Sequence, residues 1–186
     1  MTIVRSFVAL PCPPVLRAAV ARKIGEWKEL GADVAWVDPA AAHATLRFLG
    51  NAEPDALERL VALLAEVAEA ADPVHARPGP TGAFPGWRRA RVLWLAVESG
   101  GGVERLAAAV EAAARGAGFE GEERRFTAHL TLGRVRGRRG AGVAAAAVRE
   151  WTPGTEAEPI PEMVLYRSDL GPRGARHTPL ARFPIG

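Results

Sequence analysis

The pattern His-x-Thr-Leu occurs twice in this chain, as His43-Ala44-Thr45-Leu46 and as His129-Leu130-Thr131-Leu132. The two histidines stand 86 residues apart, and the segments before them repeat at nearly the same spacing. Thr2–Leu10 and Arg91–Val97, both rich in β-branched and aromatic residues, read as strands. A helix follows each, opened by Pro13-Pro14 in the first half and by Gly100-Gly101-Gly102 in the second. Strand starts (Ile3, Arg91) and helix starts (Pro14, Gly102) are each 88 residues apart. A spacing kept across three elements is the mark of an internal duplication. The expected fold is therefore α+β, with two similar lobes that each offer one His-x-Thr-Leu strand. Residues 1–186 are read as one domain made of these two intertwined lobes.

Apolar periodicity fills in the remaining elements. Leu16, Val20, Ile24, Trp27 and Leu30 line one face of the first helix, which Gly31 ends. Val34–Val37 reads as a short strand, and Pro54 to Ala71 as a helix with Leu57, Leu60, Val61, Leu64 and Val67 inward. In the second half Val103, Leu106, Val110 and Ala113 share a helix face closed by Gly116 and Gly118. Gly82–Trp87 reads as a Gly/Pro loop, Arg136–Gly142 as another loop, and Val143–Glu150 as a short Ala-rich helix. Strands are expected near Glu162–Arg167 and Arg176–Phe183.

Residues i and i+2 of a strand share a face. His43 and Thr45 therefore point one way, with Ala44 and Leu46 opposite, and His129 and Thr131 repeat the arrangement. Apolar neighbours can be buried while the His-Thr pairs line the cleft. An imidazole serves as acid or base near neutral pH. Opening a cyclic phosphate needs a base for the attacking water and an acid for the departing ribose oxygen. Two histidines flanking one phosphorus meet both needs without a metal, and the threonine hydroxyls can donate to the non-bridging oxygens. Neither motif carries the further ligands of a catalytic zinc site. No cofactor is expected: Gly-Lys-Ser/Thr phosphate loops are absent, and Lys28-Glu29-Leu30-Gly31 lacks the aspartate of a nucleotidyl-lysine motif.

The 22 arginines against 2 lysines cluster at Arg88, Arg89 and Arg91, at Arg124 and Arg125, and at Arg134, Arg136, Arg138 and Arg139. Such stripes suit a polyanion, although a net charge of only +3 argues against tight duplex binding. A single cysteine, Cys12, excludes an intramolecular disulfide. No apolar run is long enough to span a bilayer, and the N-terminus lacks a signal-peptide pattern, so a cytoplasmic location without membrane association is expected.

His43–Gly50 and Phe126–Arg134 resemble the paired motifs of the 2H phosphoesterase superfamily, and more narrowly its RNA 2',3'-cyclic phosphodiesterases, also called 2'-5' RNA ligases. Phe84-Pro85 before an Arg cluster, Val92-Leu93-Trp94-Leu95 and Leu165–Leu170 extend the resemblance over essentially the whole chain. It implies a bilobal α+β fold of two pseudo-symmetric lobes, each an antiparallel sheet with flanking helices, with the active-site cleft between them. It also implies His43 as proton donor and His129 as proton acceptor, and a 2'-phosphate product from RNA with a 2',3'-cyclic phosphate end (tRNA fragments among them). A monomer is expected. Any ligation would be the ATP-independent reverse reaction. Ala128 stands where the family often has proline.

Arg134, at +5 from His129, would face away in a regular strand, but Gly133 could permit a bulge that turns it back toward phosphate or ribose. Phe84 is either a base-stacking platform or packed on the core. Arg47 and Arg125 read as solvated, Phe48 as core, and His75 and His177 as structural or exposed. Two alternatives remain open at this level: a phosphoesterase for another small cyclic phosphate or a 2'-5' oligonucleotide, and an RNA-binding module that clamps phosphate without turnover.

Overall fold

Each helix forms where an apolar stripe at helical spacing meets a start signal. In the computed structural model, which describes residues 3–171 and 174–186, helix α1 runs Pro14–Lys28 and buries Leu16, Val20, Ile24 and Trp27. Gly31 follows in the left-handed region (φ 61°), as a helix stop requires. Helix α2 (Pro54–Glu69) buries Leu57, Leu60, Leu64 and Ala68. Helix α3 (Gly102–Gly116) buries Val103, Leu106, Val110 and Ala113, and the Ser99 hydroxyl accepts the free Val103 N–H at 2.9 Å. Helix α4 is short, Ala141–Arg149. Leu60 and Leu64 are fully buried; truncating either to Ala would cost about 2–5 kcal/mol.

Among the described residues nine strands form one curled antiparallel sheet. They are β1 (Val4–Pro11), β2 (Val34–Trp36), β3 (His43–Ala52), β4 (Val74–Phe84), β5 (Val92–Glu98), β6 (His129–Val135), β7 (Glu158–Ile160), β8 (Glu162–Gly171) and β9 (Gly174–Pro184). The order is β7-β4-β5-β6-β3-β1-β8-β9, with β2 on β6. A pseudo-two-fold axis falls between β6 and β3, which meet through the single pair Ala44↔Leu130. The bilobal α+β expectation holds, and the element starts recur as expected, Val4 and Pro14 against Val92 and Gly102. Thr2, read as part of the first strand, lies outside the described residues.

Two features were not anticipated. Val74–Phe84, whose end was read as a Gly/Pro loop, is an eleven-residue strand that leaves the first half of the chain and pairs with β5. Its prolines hid it: Pro78 and Pro80 lack the N–H of a ladder donor, and they fall at an irregularity in the pairing. β8 makes the reciprocal crossing onto β1. The lobes thus exchange strands. Phe48, read as core, is 52% exposed, because a bulge turns it onto the cleft face of the sheet.

Candidate active site

The two His-x-Thr-Leu strands carry the same irregularity. In β3, Thr45 pairs with Ala9 but Arg47 with Val8, leaving Leu46 as the extra residue. In β6, Thr131 pairs with Trp94 but Gly133 with Leu93, leaving Leu132 extra. A bulge at the third position after each histidine reverses the alternation beyond it. Arg134, opposite Val92, therefore returns to the face of His129 and Thr131, the outcome foreseen for a bulge at Gly133. Gly133 is confined by packing: a Cβ there would stand 2.8 Å from Trp36 and Val34 side chains.

The same bulge in β3 sends Arg47 to the helix face, so its reading as solvated is corrected. Its side chain is 10% exposed and its Nε lies 2.5 Å from the Glu111 carboxylate on α3. The guanidinium also donates to the Glu120 and Phe48 carbonyls. Burial raises the Glu111 pKa, but hydrogen bonds from Arg115 and the Glu122 N–H, with the Arg47 charge, bring it below the ordinary value. Arg47 thus links the first histidine strand to the segment that leads into the second. Arg125 is exposed, as expected.

The register of Ala44↔Leu130 sets His43 across from Thr131 and Thr45 across from His129, all four half-buried on the cleft face. His43 Nδ1 lies 2.8 Å from the Ala41 carbonyl, and His129 Nδ1 lies 2.7 Å from the Thr127 carbonyl. A carbonyl can only accept, so each Nδ1 carries its proton and each Nε2 is the free nitrogen. Burial lowers both pKa values: His43 falls to about 4, with smaller contributions from His177, His129 and Arg134, and His129 falls through burial and Arg134.

Aromatic rings wall the site. Phe7 stacks on His43 at 4.9 Å and on Tyr166 at 5.2 Å. On the other side Phe84 stands edge-on to His129 at 5.3 Å, and Trp94 lies 5.9 Å away. Phe84 ends β4 rather than lying in a loop; it is 37% exposed, with one part against Trp94 and the rest open to the cleft. Gly82 is required beneath Trp94, since a Cβ would come within 2.1 Å of the indole.

His177, read as structural or exposed, packs beside the site. From β9 it reaches His43 edge-to-face at 5.2 Å and Phe7 at 4.8 Å, half-buried, with its pKa lowered by burial. No local pattern could have placed it, because it arrives through the β8–β9 pairing of Ser168 with His177. His75 is exposed. The Cys12 thiol is pushed up to about 12 by burial and Glu158, hence un-ionised and unreactive. Among the described residues no three His, Cys, Asp or Glu side chains gather into a metal-holding group, and no helix is long and apolar enough to cross a membrane.

A bilobal sheet with one His-x-Thr strand from each lobe on a shared cleft is what the resemblance to 2H phosphoesterases leads one to expect. A family model described as the 2'-5' RNA ligase superfamily matches residues 14–171, and the chain belongs to that superfamily. It is 30% identical over 183 residues to the RNA 2',3'-cyclic phosphodiesterase of Methanothermobacter thermautotrophicus, covering 98% of this chain and 99% of that one. With the protein of the same description from Archaeoglobus fulgidus it shares 32% identity over 180 residues, 96% and 99% of the two chains. Among solved structures it is similar to TT0787 of Thermus thermophilus, with a TM-score of 0.83, 27% identity and 97% of each chain covered.

Proposed function

We propose that this protein is an RNA 2',3'-cyclic phosphodiesterase, acting without a metal through His43 and His129 to leave a 2'-phosphate. The observation that carries this reading is the matched pair of free Nε2 atoms, each oriented by a carbonyl two residues upstream. The named relatives share the substrate class and nearly the whole length.

In the proposed step His129 Nε2 takes a proton from water as the water oxygen bonds to phosphorus. The P–O3' bond breaks on the far side, and His43 Nε2–H protonates O3'. The phosphate remains on O2', and exchange with solvent returns one proton to His43 and removes one from His129. Thr45 and Thr131 donate to the non-bridging oxygens, and Arg134 balances the growing negative charge. His43, at about 4 in the open cleft, is neutral at pH 7. The bound phosphate anion favours its protonated form, so substrate itself charges the acid. Phe84 offers a ring edge and face for the terminal base. With a ribose 5'-hydroxyl in place of water, the same ring opening gives a 2'-5' linkage without ATP.

The test is turnover of a short RNA ending in a 2',3'-cyclic phosphate, in EDTA, by wild type, His43→Ala and His129→Ala. Hydrolysis to a 2'-phosphate by wild type, with losses of about 10²–10⁴ in each variant, is expected. Activity that needs a metal, or that survives either substitution, would overturn the two-imidazole mechanism.

A further inference from the structure

Beside Phe84 the cleft continues into a groove of about 930 Å³, between the short helical turn Trp87–Arg89 and the start of α4. Phe84 and Val92 belong to both spaces: they line the groove, and they stand on the sheet face next to His129 and Arg134. Arg88, Arg89, Arg91 and Arg138 line the groove as well. All four are exposed, and none pairs with a carboxylate among the described residues. Between the cations lie apolar surfaces, Val135 and Trp87, with Arg149 over the Trp87 ring at 5.9 Å. The groove ends at the first residues of α4, whose amide dipole adds positive potential.

A phosphate bound by the two histidines occupies the cleft and not this groove. Its size falls at the upper end of the roughly 300–1,000 Å³ that holds a small ligand, so there is room for more than one phosphate. Unpaired arginines alternating with apolar and aromatic surface are what a single strand needs, since phosphates take the cations and bases lie on the rings. A duplex would demand a broader basic face than one groove offers.

We propose that this groove is a subsite for single-stranded RNA, continuous with the cleft and binding the strand through its phosphates; the proposal rests on the phosphodiesterase reading. Two strands have the required chemistry. One is the body of the RNA whose cyclic end lies in the cleft. The other is a separate strand presenting a 5'-hydroxyl, because the groove opens on the His129 side, from which the attacking oxygen arrives. There the 5'-O–P bond forms as P–O3' breaks, the hydroxyl proton passes to His129, and His43 protonates O3'.

The experiment compares wild type with Arg88→Ala/Arg138→Ala, after confirming equal thermal melting. Three probes are used: a nucleoside 2',3'-cyclic phosphate, a single-stranded RNA of about ten nucleotides with a cyclic end, and the same length of RNA with a free 5'-hydroxyl as inhibitor. The nucleoside substrate should be turned over equally by both proteins. If the groove holds the RNA body, KM for the long substrate rises about tenfold at unchanged kcat, and its salt slope falls by about 0.7 per lost phosphate contact. If it holds the second strand, KM is unchanged and the inhibition constant of the 5'-hydroxyl RNA rises about tenfold instead. Either result supports the subsite and names its strand. Equal constants for both proteins on both RNAs would overturn it. Should wild type turn over neither substrate, the phosphodiesterase reading fails, and the groove is judged by fluorescence anisotropy of the labelled RNA. Weaker binding by the double variant then keeps the subsite, and equal binding rejects it.

Discussion

β3 and β6 are the same strand built twice and used differently. Both carry His, Thr and a bulged Leu at identical spacing, so the residues at +4 and +5 are equivalent by geometry. In β3 they are Arg47 and Phe48; in β6 they are Gly133 and Arg134. The bulge turns +4 to the helix side and +5 to the cleft in both. The arginine of the first lobe is consequently buried as a structural cation, and that of the second stands with the histidines. The aromatic flanks also differ: His43 packs on Phe7, Tyr166 and His177, whereas His129 has Phe84 and Trp94 edge-on. Duplication repeated the backbone, and one-residue shifts in where charge sits made the halves chemically unequal. That inequality suits a step in which one imidazole gives a proton and the other takes one.

The largest effect should come from the pair itself. His43→Gln and His129→Gln should each lower kcat/KM by about 10²–10⁴, and the double variant should lose little more, since either alone stops the concerted step. Additive losses would mean that the two act independently. For the proposed step the free enzyme must carry one proton on the pair. Burial has lowered both values from 6.5, His43 to about 4, so that proton is lost as pH rises through the His129 value. The kcat/KM profile should therefore peak below pH 6.5 and fall on the alkaline side. The kcat profile should lie at higher pH, because bound phosphate raises both imidazoles. A kcat/KM that holds level to about pH 8 would contradict this.

At the equivalent +5 positions, Arg134→Ala should lower kcat/KM by about 10²-fold, and Phe48→Ala by no more than a few-fold. Comparable losses would remove the asymmetry. At +4 the readout is stability. Arg47→Met removes the Glu111 ion pair and the donors to the Glu120 and Phe48 carbonyls, and should cost about 1–3 kcal/mol in urea unfolding. Gly133→Ala, driven against Trp36 and Val34, should cost about 1–3 kcal/mol. If Arg47→Met melts like wild type, the ion pair is not a structural tie. The smallest effect is expected at His177. His177→Phe keeps a ring against Phe7 and removes a charge that lowers His43, so the His43 titration followed by NMR should move upward. An unmoved titration would reduce His177 to packing.

The sequence alone determined the duplication, the two histidines, the threonines beside them and the helices, because each is written in a period of two or 3.6 residues or in a recurring motif. It also contained the condition for Arg134, since a glycine before it allowed the bulge. What only the tertiary structure decided was which way +4 and +5 face, and which strands lie next to the site. A bulge depends on the partner strand skipping a residue, and that partner is distant in the chain: Val8 for Arg47, Leu93 for Gly133. β4, disguised by its prolines, and β9, which carries His177, reach the cleft through pairings with no local signature. Alternation is a property of one strand. Register is a property of two, and the chemistry of this cleft was set by register.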